Sequence, residues 1–590
     1  MKRILNKKTM HISLKSKFYM EIILQPQTQA PNMKNTIVIF SLFFILSGCS
    51  EAQAQDNNKK DTKTSKSAPL SAPVGQHAAM MMDNSFDKPI DYIPEAIGEY
   101  EWKITTSESR AQQYFKQGMQ LRWAYNVNEA ARSMAEARRI DPNCAMCYWG
   151  EAFALGSFLN GHMTTEKGMR GRKAILKAVE LADGNTTAME KELIMATLVR
   201  YPENWTTEIG NNKEERKATY EAFRDNMAEV YSNYSKNHEI ATIYAQSLFM
   251  LEERRGYRAE TPALEHLHSV LTSVLNENIS HPGACHLYIH ATESTNDPGR
   301  ASACADKLSD AVPVASHIQH MPAHTYNRTG MWGKNVTTSI KASQSDIMAK
   351  SNKGFSYGAS HNLHMLLFGA AYDGQGAVAI QAGKDYRKLT DMAPYETLTQ
   401  IRFGRFEDVL KNDNTPKDVY SLALYKFAKG YASLKMGDSV MAKDVENYLF
   451  KAAEGDLGSE FFRGDYKSTL VKIVAYILQG EIKMVSGDLD GAIDSFTAAV
   501  DEEDTLGFSE PGPLPFSAYH WLGAALIEAE NFSKAESLYR KELEIRPHNG
   551  WSLFGLKQAL AGQNIDDPAV NDDFKSSWAR SNLFITSSRF

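Results

Sequence analysis

Small and bulky residues recur along this chain with a period of 34. Within one unit, glycine or alanine commonly stands at positions 8, 15, 20 and 27, and a bulky side chain stands at position 24. Small residues at positions 8 and 20 let two helices approach closely, while position 24 fills the space between them. A proline after position 27 ends the second helix. The period therefore predicts an all-α chain of helix pairs, with units that contain Gly118 and Met134, Gly430 and Ala442, Gly480 and Phe496, and Gly523 and Tyr539.

The unit resembles the tetratricopeptide repeat (TPR), which implies a stacked helical superhelix (an α-solenoid) with a ligand-binding concave face. The resemblance covers about residues 107–562. Three segments are similar to those of a poorly characterised group of bacterial TPR proteins, for which no reaction is established. These segments are His281-Pro282-Gly283-Ala284 followed by Tyr288-Ile289-His290, then His320-Met321-Pro322-Ala323-His324, and His361-Asn362-Leu363-His364.

Half of the histidines are concentrated in the middle of the chain. Eight of the 16 lie between residues 281 and 364. The histidines fall in units that start at Pro282, Ser316 and Ser360. Positions 2, 5, 9 and 12 of a unit are three or four residues apart, so they share one stripe of its first helix. The TPR resemblance implies that this stripe faces the concave groove, where successive helices form a ladder. The ladder comprises His286, His320 and His364 at position 5, His290 and His324 at position 9, and Glu293 at position 12. Further groove-lining candidates are His317 and His361 at position 2, with Asn327 and Arg328.

This ladder supports two different interpretations. Pairs such as His286 with His290 have the (i, i+4) spacing of two-histidine metal sites, and neutral imidazole suits zinc, copper or nickel. Glu293 would then be a ligand, an outer partner or a general base. Alternatively, the histidines only form hydrogen bonds within a packed interface, or recur because one ancestral unit was duplicated. A metal site predicts His286, His290, His320, His324, Glu293 and His364 as its candidate residues.

The amino terminus predicts export and lipidation. A short apolar stretch follows Lys34 and runs into Leu46-Ser47-Gly48-Cys49. It is too short to span a bilayer, and small residues before a cysteine resemble a bacterial lipobox. We therefore predict a signal region at 1–48, with a start at Met33 as an alternative, and lipidation of Cys49. Residues 49–100 are predicted to be a flexible tether. Location in the bacterial cell envelope is expected, at the outer membrane and on its periplasmic or surface face.

The net charge bears on the class of ligand, and the cysteine content bears on disulfide formation. The chain has 65 basic and 71 acidic residues; removing seven basic residues and one acidic residue before Cys49 leaves 58 against 70, a net charge of −12. Such an acidic chain argues against nucleic-acid binding. Besides Cys49, four cysteines form two close sets, Cys144 with Cys147 and Cys285 with Cys304. An envelope compartment permits disulfides, but buried free thiols are the prediction, with Cys285 as a group that could reach the ladder.

The favoured functional prediction is a non-catalytic, membrane-anchored scaffold that binds a protein or polysaccharide-related polymer in its groove, beside an uptake system. Phosphate-loop, H-E-x-x-H and G-x-S-x-G motifs are all missing from the sequence, so an enzyme is not expected. The alternative is a metal-binding protein or metal-dependent hydrolase that uses a transition metal such as zinc. Two helical blocks are predicted, at 101–415 with the histidine repeats and at 416–590.

Overall fold

The structure is a computed structural model. It describes residue 86 and residues 88–590, except 254–255, 391, 393, 456 and 458–459. The predicted signal region, Cys49 and most of the predicted tether lie outside the described residues. Within them, α-helices dominate and the only strands form one short antiparallel hairpin of β1 (Phe461–Phe462) and β2 (Asp465–Tyr466). Two 3-10 helices occupy Pro94–Ala96 and Pro298–Ala301.

The helices follow one another as pairs. The first thirteen are α1 (Ser109–Trp123), α2 (Val127–Ile140), α3 (Ala145–Leu155), α4 (Thr165–Asn185), α5 (Ala188–Leu198), α6 (Thr207–Asn211), α7 (Lys213–Tyr234), α8 (His238–Phe249), α9 (Pro262–Leu275), α10 (Pro282–Thr292), α11 (Ser302–Leu308), α12 (Ser316–His320) and α13 (Pro322–Arg328). The others are α14 (Trp332–Ala349), α15 (Ala359–Tyr372), α16 (Gly376–Thr390), α17 (Pro394–Arg402), α18 (Phe406–Lys411), α19 (Val419–Lys435), α20 (Ser439–Glu454), α21 (Lys467–Val485), α22 (Leu489–Glu503), α23 (Tyr519–Glu528), α24 (Phe532–Ile545), α25 (Gly550–Gly562) and α26 (Pro568–Ser577).

The contacts inside the pairs confirm the all-α helical-repeat fold and its 34-residue frame. A Cβ at Gly480 in α21 would lie 2.3 Å from Cε1 of Phe496 in α22, so only glycine fits at position 8 opposite this ring. The same relation holds for Gly118 and Met134, where the distance to Cε would be 2.6 Å. Because glycine has no Cβ, the two helices of a pair come close enough to bury the bulky residue at position 24.

Two large hydrophobic clusters form the core. One involves buried residues between 86 and 355 and the other involves residues between 336 and 585. Later helices return to the middle of the chain, since Trp332 Nε1 donates to Pro547 O at 3.1 Å and Trp551 Nε1 donates to Ala371 O at 2.9 Å. Arg580 also forms a bidentate ion pair with the buried Asp373. These contacts bring the segment after α22 close to α14 and α15. The predicted boundary at 415/416 stays a prediction.

The segment before α1 differs from the prediction of a tether that extends to residue 100. Residues 90–100 are bonded to α1 through two buried glutamines. Gln117 accepts from Ile93 N at 3.0 Å and donates to Asp91 O at 3.0 Å. Gln120 accepts from Gly98 N at 2.7 Å and donates to Tyr100 O at 2.9 Å. Side-chain amides that satisfy both backbone donors and acceptors hold an irregular segment in place, so this part of the chain belongs to the folded unit.

The cysteines also differ from the prediction of free thiols. Cys144–Cys147 and Cys285–Cys304 are both disulfides. The Cα atoms are 5.3 Å and 5.1 Å apart, within the range that a disulfide can bridge. The second disulfide connects α10 to α11 and engages the sulfur of Cys285, which therefore offers no thiolate to the neighbouring histidines. Among the described residues, no helix is long and apolar enough to cross a membrane.

Candidate metal centre

Six histidines of α10–α15 come together with Glu293 at the end of α10 and Glu510 from the loop after α22. We call this group the histidine cluster: His286, His290, Glu293, His317, His320, His324, His361 and Glu510. His286 and His290 lie on α10, and the next three histidines lie on α12 and α13, which Pro322 separates because proline has no N–H to continue the helical bonding. All six imidazoles are buried.

Three of these imidazoles form what we call the second triad: His320, His324 and His361. His320 Nε2 lies 2.9 Å from His324 Nε2, and His361 Nε2 lies 3.4 Å from His324 Nε2. All three ligand atoms lie within 4.8 Å of one another. Tetrahedral zinc, with Zn–N bonds of about 2.0–2.1 Å, separates its nitrogen ligands by about 3.3–3.4 Å. The spacing of the second triad is thus close to that of a three-histidine metal site.

Glu293 stands behind two of the imidazoles. Its Oε1 lies 2.6 Å from His290 Nδ1, and its Oε2 lies 2.6 Å from His324 Nδ1. A carboxylate only accepts hydrogen bonds, so both Nδ1 atoms carry a proton, and in the neutral rings the lone pairs are on Nε2. This arrangement matches the carboxylate–histidine–metal relation, in which an outer carboxylate fixes the tautomer and the orientation of a ligand. The backbone carbonyl of Glu293 accepts from Arg328 Nε at 3.0 Å.

The other three imidazoles form what we call the first triad: His286, His290 and His317. His286 Nδ1 lies 2.6 Å from the carbonyl oxygen of Trp123, so this nitrogen donates, and the neutral ring has its lone pair on Nε2. Nε2 of His286 lies 3.2 Å from Nε2 of His317. Again the three ligand atoms are within 4.8 Å of one another. At this distance either one Nε2 carries a hydrogen that it donates to the other, or both nitrogens direct lone pairs at a bound cation.

Glu510 contributes the second carboxylate of the cluster. Its Oε2 is 3.4 Å from His324 Nδ1, and its side chain is 26% exposed. Arg328 supports the same loop, because its guanidinium lies over the ring of Phe508 at 5.8 Å and over Tyr257 at 5.3 Å. Glu510 therefore stands between the buried imidazoles and solvent. The sequence carries no signal for it, since it follows His361 by well over a hundred residues.

The histidine stripe does not line an open groove, in contrast to the expectation from TPR proteins. Rings from two other segments cover the first triad. Tyr125 lies 4.3 Å from His286 and 5.1 Å from His317, and Tyr357 lies 4.9 Å from His317 between ring centroids. Because the turn after α1 and the segment before α15 pack on the first triad, His286 and His317 are closed off from solvent.

Tyr125 occupies an unusual backbone conformation. It stands at position 15 of its unit, where Gly330, Gly437 and Gly487 have φ of 70°, 96° and 80°, and its own φ is 61°. A bulky residue at positive φ is strained by about 1–2 kcal/mol. The same conformation places the buried ring on the first triad. A bulky residue at a position that usually holds glycine is the feature of the sequence that could have predicted this contact.

We expect Tyr125→Gly to lower the free energy of unfolding by about 2–4 kcal/mol, because the lost ring leaves a cavity that outweighs the relieved strain. Glu530 offers a matched control, since it stands at position 15 with φ of 57° and is exposed. Glu530→Gly should instead stabilise the protein by about 0.5 kcal/mol. Denaturant unfolding of both variants provides the comparison. Equal effects at the two positions would show that the ring of Tyr125 contributes nothing to the covered site.

The remaining predicted site residues lie elsewhere. His364 lies outside the metal-ligand groups found among the described residues, and its ring is 4.6 Å from Tyr395 and 5.8 Å from Tyr386. Burial, together with the charge of Arg463, holds the pKa of His364 well below its usual value, so it is neutral at pH 7. His317 and His361, expected only to line a groove, belong to the two triads. Asn327 is partly buried beside Arg328.

No family model and no curated protein matches this chain. Solved structures that resemble it include the human IFIT1 dimer with PPP-AAAA, with a TM-score of 0.27 and 12% identity over 82% of this chain and 97% of that chain. The APC/C hetero-tetramer Cut9-Hcn1 has a TM-score of 0.26 and 11% identity over 80% and 90% of the two chains. The P58(IPK) TPR domain has a TM-score of 0.20 and 10% identity over 77% and 98%. Because these scores are low, the likenesses carry no functional inference.

Proposed function

We propose that this protein is a helical-repeat scaffold that binds a transition metal in the histidine cluster. The observation that carries the proposal is the second triad, in which three buried imidazoles bring their Nε2 atoms together while Glu293 accepts from Nδ1 of one of them. Neutral imidazole is a ligand for zinc, copper and nickel, and the sequence alone indicated a divalent transition metal such as zinc. Three protein ligands also leave one coordination position for water or another small ligand.

Burial of all six imidazoles is a second observation that supports this proposal. Six imidazoles in mutual contact lose hydration, and this loss is costly unless their nitrogens gain partners of comparable strength. A bound cation engages several lone pairs at once, whereas shared protons engage them only in pairs. The predicted protein or polymer ligand of a concave groove stays a prediction, because the buried stripe cannot itself line an open groove.

The test is equilibrium binding of Zn²⁺ to tag-free, metal-stripped protein, measured by competition with a chromophoric chelator. We expect tight binding of at least one ion, and we expect His324→Gln to weaken binding at the second triad at least tenfold, since it removes a ligand and its outer carboxylate contact. His266→Gln is the control, because His266 is exposed and lies outside the cluster. Absence of binding to the wild-type protein, or identical binding by the His324 variant, contradicts the proposal.

We further propose that the protein is lipid-anchored in the bacterial cell envelope. The lipobox-like Leu46-Ser47-Gly48-Cys49 supports this location. Two disulfides per chain fit the same compartment, since disulfides persist in oxidising surroundings and are rare in the cytosol. An anchored metal protein outside the cytosol would meet metal ions that enter the envelope directly.

Replacement of Cys49 by alanine is expected to release the protein from the membrane fraction or to leave it unprocessed. Acyl chains on Cys49 are the membrane attachment that the sequence predicts, and stable anchoring takes two such signals. Fractionation of cells that express either form gives the answer, with Cys144→Ala as a control cysteine that should keep any folded protein at the membrane. A Cys49 variant that matures normally and stays in the membrane fraction would show that the lipoprotein assignment is wrong.

A further inference from the structure

The two triads are the same three repeat positions, displaced by one repeat. The first triad takes positions 5 and 9 from the unit that starts at Pro282 and position 2 from the unit that starts at Ser316. The second triad takes positions 5 and 9 from the Ser316 unit and position 2 from the unit that starts at Ser360. In a repeat protein, each repeat packs on the next with a similar geometry. A ligand set that spans one repeat junction therefore recurs at the next junction.

Glu293 connects the two triads. Each of its carboxylate oxygens accepts from one imidazole, His290 of the first triad and His324 of the second, and both distances are 2.6 Å. These two histidines are equivalent, since both stand at position 9. One buried carboxylate therefore sets the tautomer on both sides and directs a lone pair into each triad. The ring centroids of the same two histidines are 5.2 Å apart, so the triads are immediate neighbours.

The series ends after two triads. In the unit that starts at Ser360, position 9 is Phe368 rather than histidine, and His364 at position 5 packs against tyrosine rings. Earlier in the chain, the unit with Gly118 carries Phe115 and Met119 at positions 5 and 9. Duplication of a unit alone would not restrict paired histidines to two adjacent junctions. Paired histidines at two adjacent junctions are what two neighbouring binding sites require.

We propose that the histidine cluster is a paired centre that holds two transition-metal ions of the same class, one in each triad, with Glu293 as their shared outer carboxylate. This inference rests on the proposed metal-binding function and specifies its stoichiometry. In this paired centre His317 and His361 are both metal ligands, and each completes one triad. Glu293 belongs to the outer shell of both ions, because its two oxygens are engaged by Nδ1 atoms.

The stoichiometry is measured by loading metal-stripped protein with excess Zn²⁺, removing unbound metal, and determining zinc per chain by mass spectrometry. The wild-type protein is expected to retain two ions. His317→Gln should retain one, in the second triad, and His361→Gln should also retain one, in the first triad. The double variant should retain none, while His266→Gln, outside the cluster, should retain two. Circular dichroism of each variant establishes that the helices are intact.

The possible outcomes separate the two proposals. If the wild-type chain retains only one ion, the paired centre is wrong, whichever variants lose that ion, and the metal-binding function stands. If the wild-type chain retains no ion, both proposals are wrong. A second measurement needs no variant. Titration of the wild-type protein with Cu²⁺ should give a paramagnetic resonance signal that grows with the first equivalent and then broadens or fades as a neighbouring ion couples to it. A signal that grows in proportion through two equivalents, without broadening, would contradict a pair of adjacent ions.

Discussion

Simultaneous replacement of four cluster histidines by glutamine is expected to abolish metal binding and to lower the free energy of unfolding of the metal-free protein by about 3–6 kcal/mol. Glutamine cannot reproduce the ring contacts, and each buried polar group left unpaired costs about 1–3 kcal/mol. The four losses are coupled, because the rings contact one another, so they do not add. The substituted residues are His286, His290, His320 and His324.

The control for this variant is a second quadruple substitution at histidines that are not buried. Substitutions at His238, His266 and His548 should each change the free energy of unfolding by no more than about 0.5 kcal/mol. Replacement of His162, whose Nδ1 lies 2.8 Å from the hydroxyl of the buried Tyr220, should cost about 1 kcal/mol. Denaturant unfolding, with and without zinc, measures both proteins, and His324→Gln alone serves if the quadruple cluster variant does not fold. Equal stability of the cluster and control variants would contradict the buried cluster. The control positions are His162, His238, His266 and His548.

Glu293→Gln should weaken metal binding about 10- to 100-fold, or about 1.4–2.7 kcal/mol, although Glu293 is not itself a proposed ligand. The amide keeps one acceptor and replaces the other with a donor, so His290 and His324 can no longer both donate to it. One imidazole then loses the partner that fixes its tautomer, and the negative charge behind the metal is removed.

Glu239 offers a matched control for the Glu293 variant. It is a buried carboxylate that lies 2.9 Å from Nε2 of the buried His281, but it belongs to none of the candidate metal groups. Glu239→Gln should therefore cost stability while leaving the dissociation constant for Zn²⁺ unchanged. Competition titrations on both variants distinguish the two effects. Equal losses of affinity at the two positions would show that the effect of Glu293 comes from general destabilisation.

The repeat frame was predictable from the sequence because it depends on local contacts. Gly480 and Phe496 are 16 residues apart and meet inside one helix pair, as positions 8 and 24 predict. The same frame placed His286 near His290, since four residues separate neighbours on one helix face. Such contacts need only the helical period and the length of one turn.

The closed cluster was not predictable because it depends on contacts between distant segments. Sequence spacing placed His317 and His361 on the stripe, but their approach to positions 5 and 9 of the preceding unit depends on how repeats stack. Glu510 and Tyr125 come from other parts of the chain and cover the stripe. A resemblance that implied an open groove gave no information on these covering segments, so it led to the wrong expectation of exposed histidines.

Anomalous diffraction from crystals of zinc-loaded protein tests the central claim most directly. Data collected above and below the zinc absorption edge locate the ion without reference to any variant. We predict anomalous density within about 2.0–2.1 Å of the Nε2 atoms of His320, His324 and His361. Zinc bound only at surface carboxylates or at histidines outside the cluster, with no anomalous density among the three Nε2 atoms, would contradict the account.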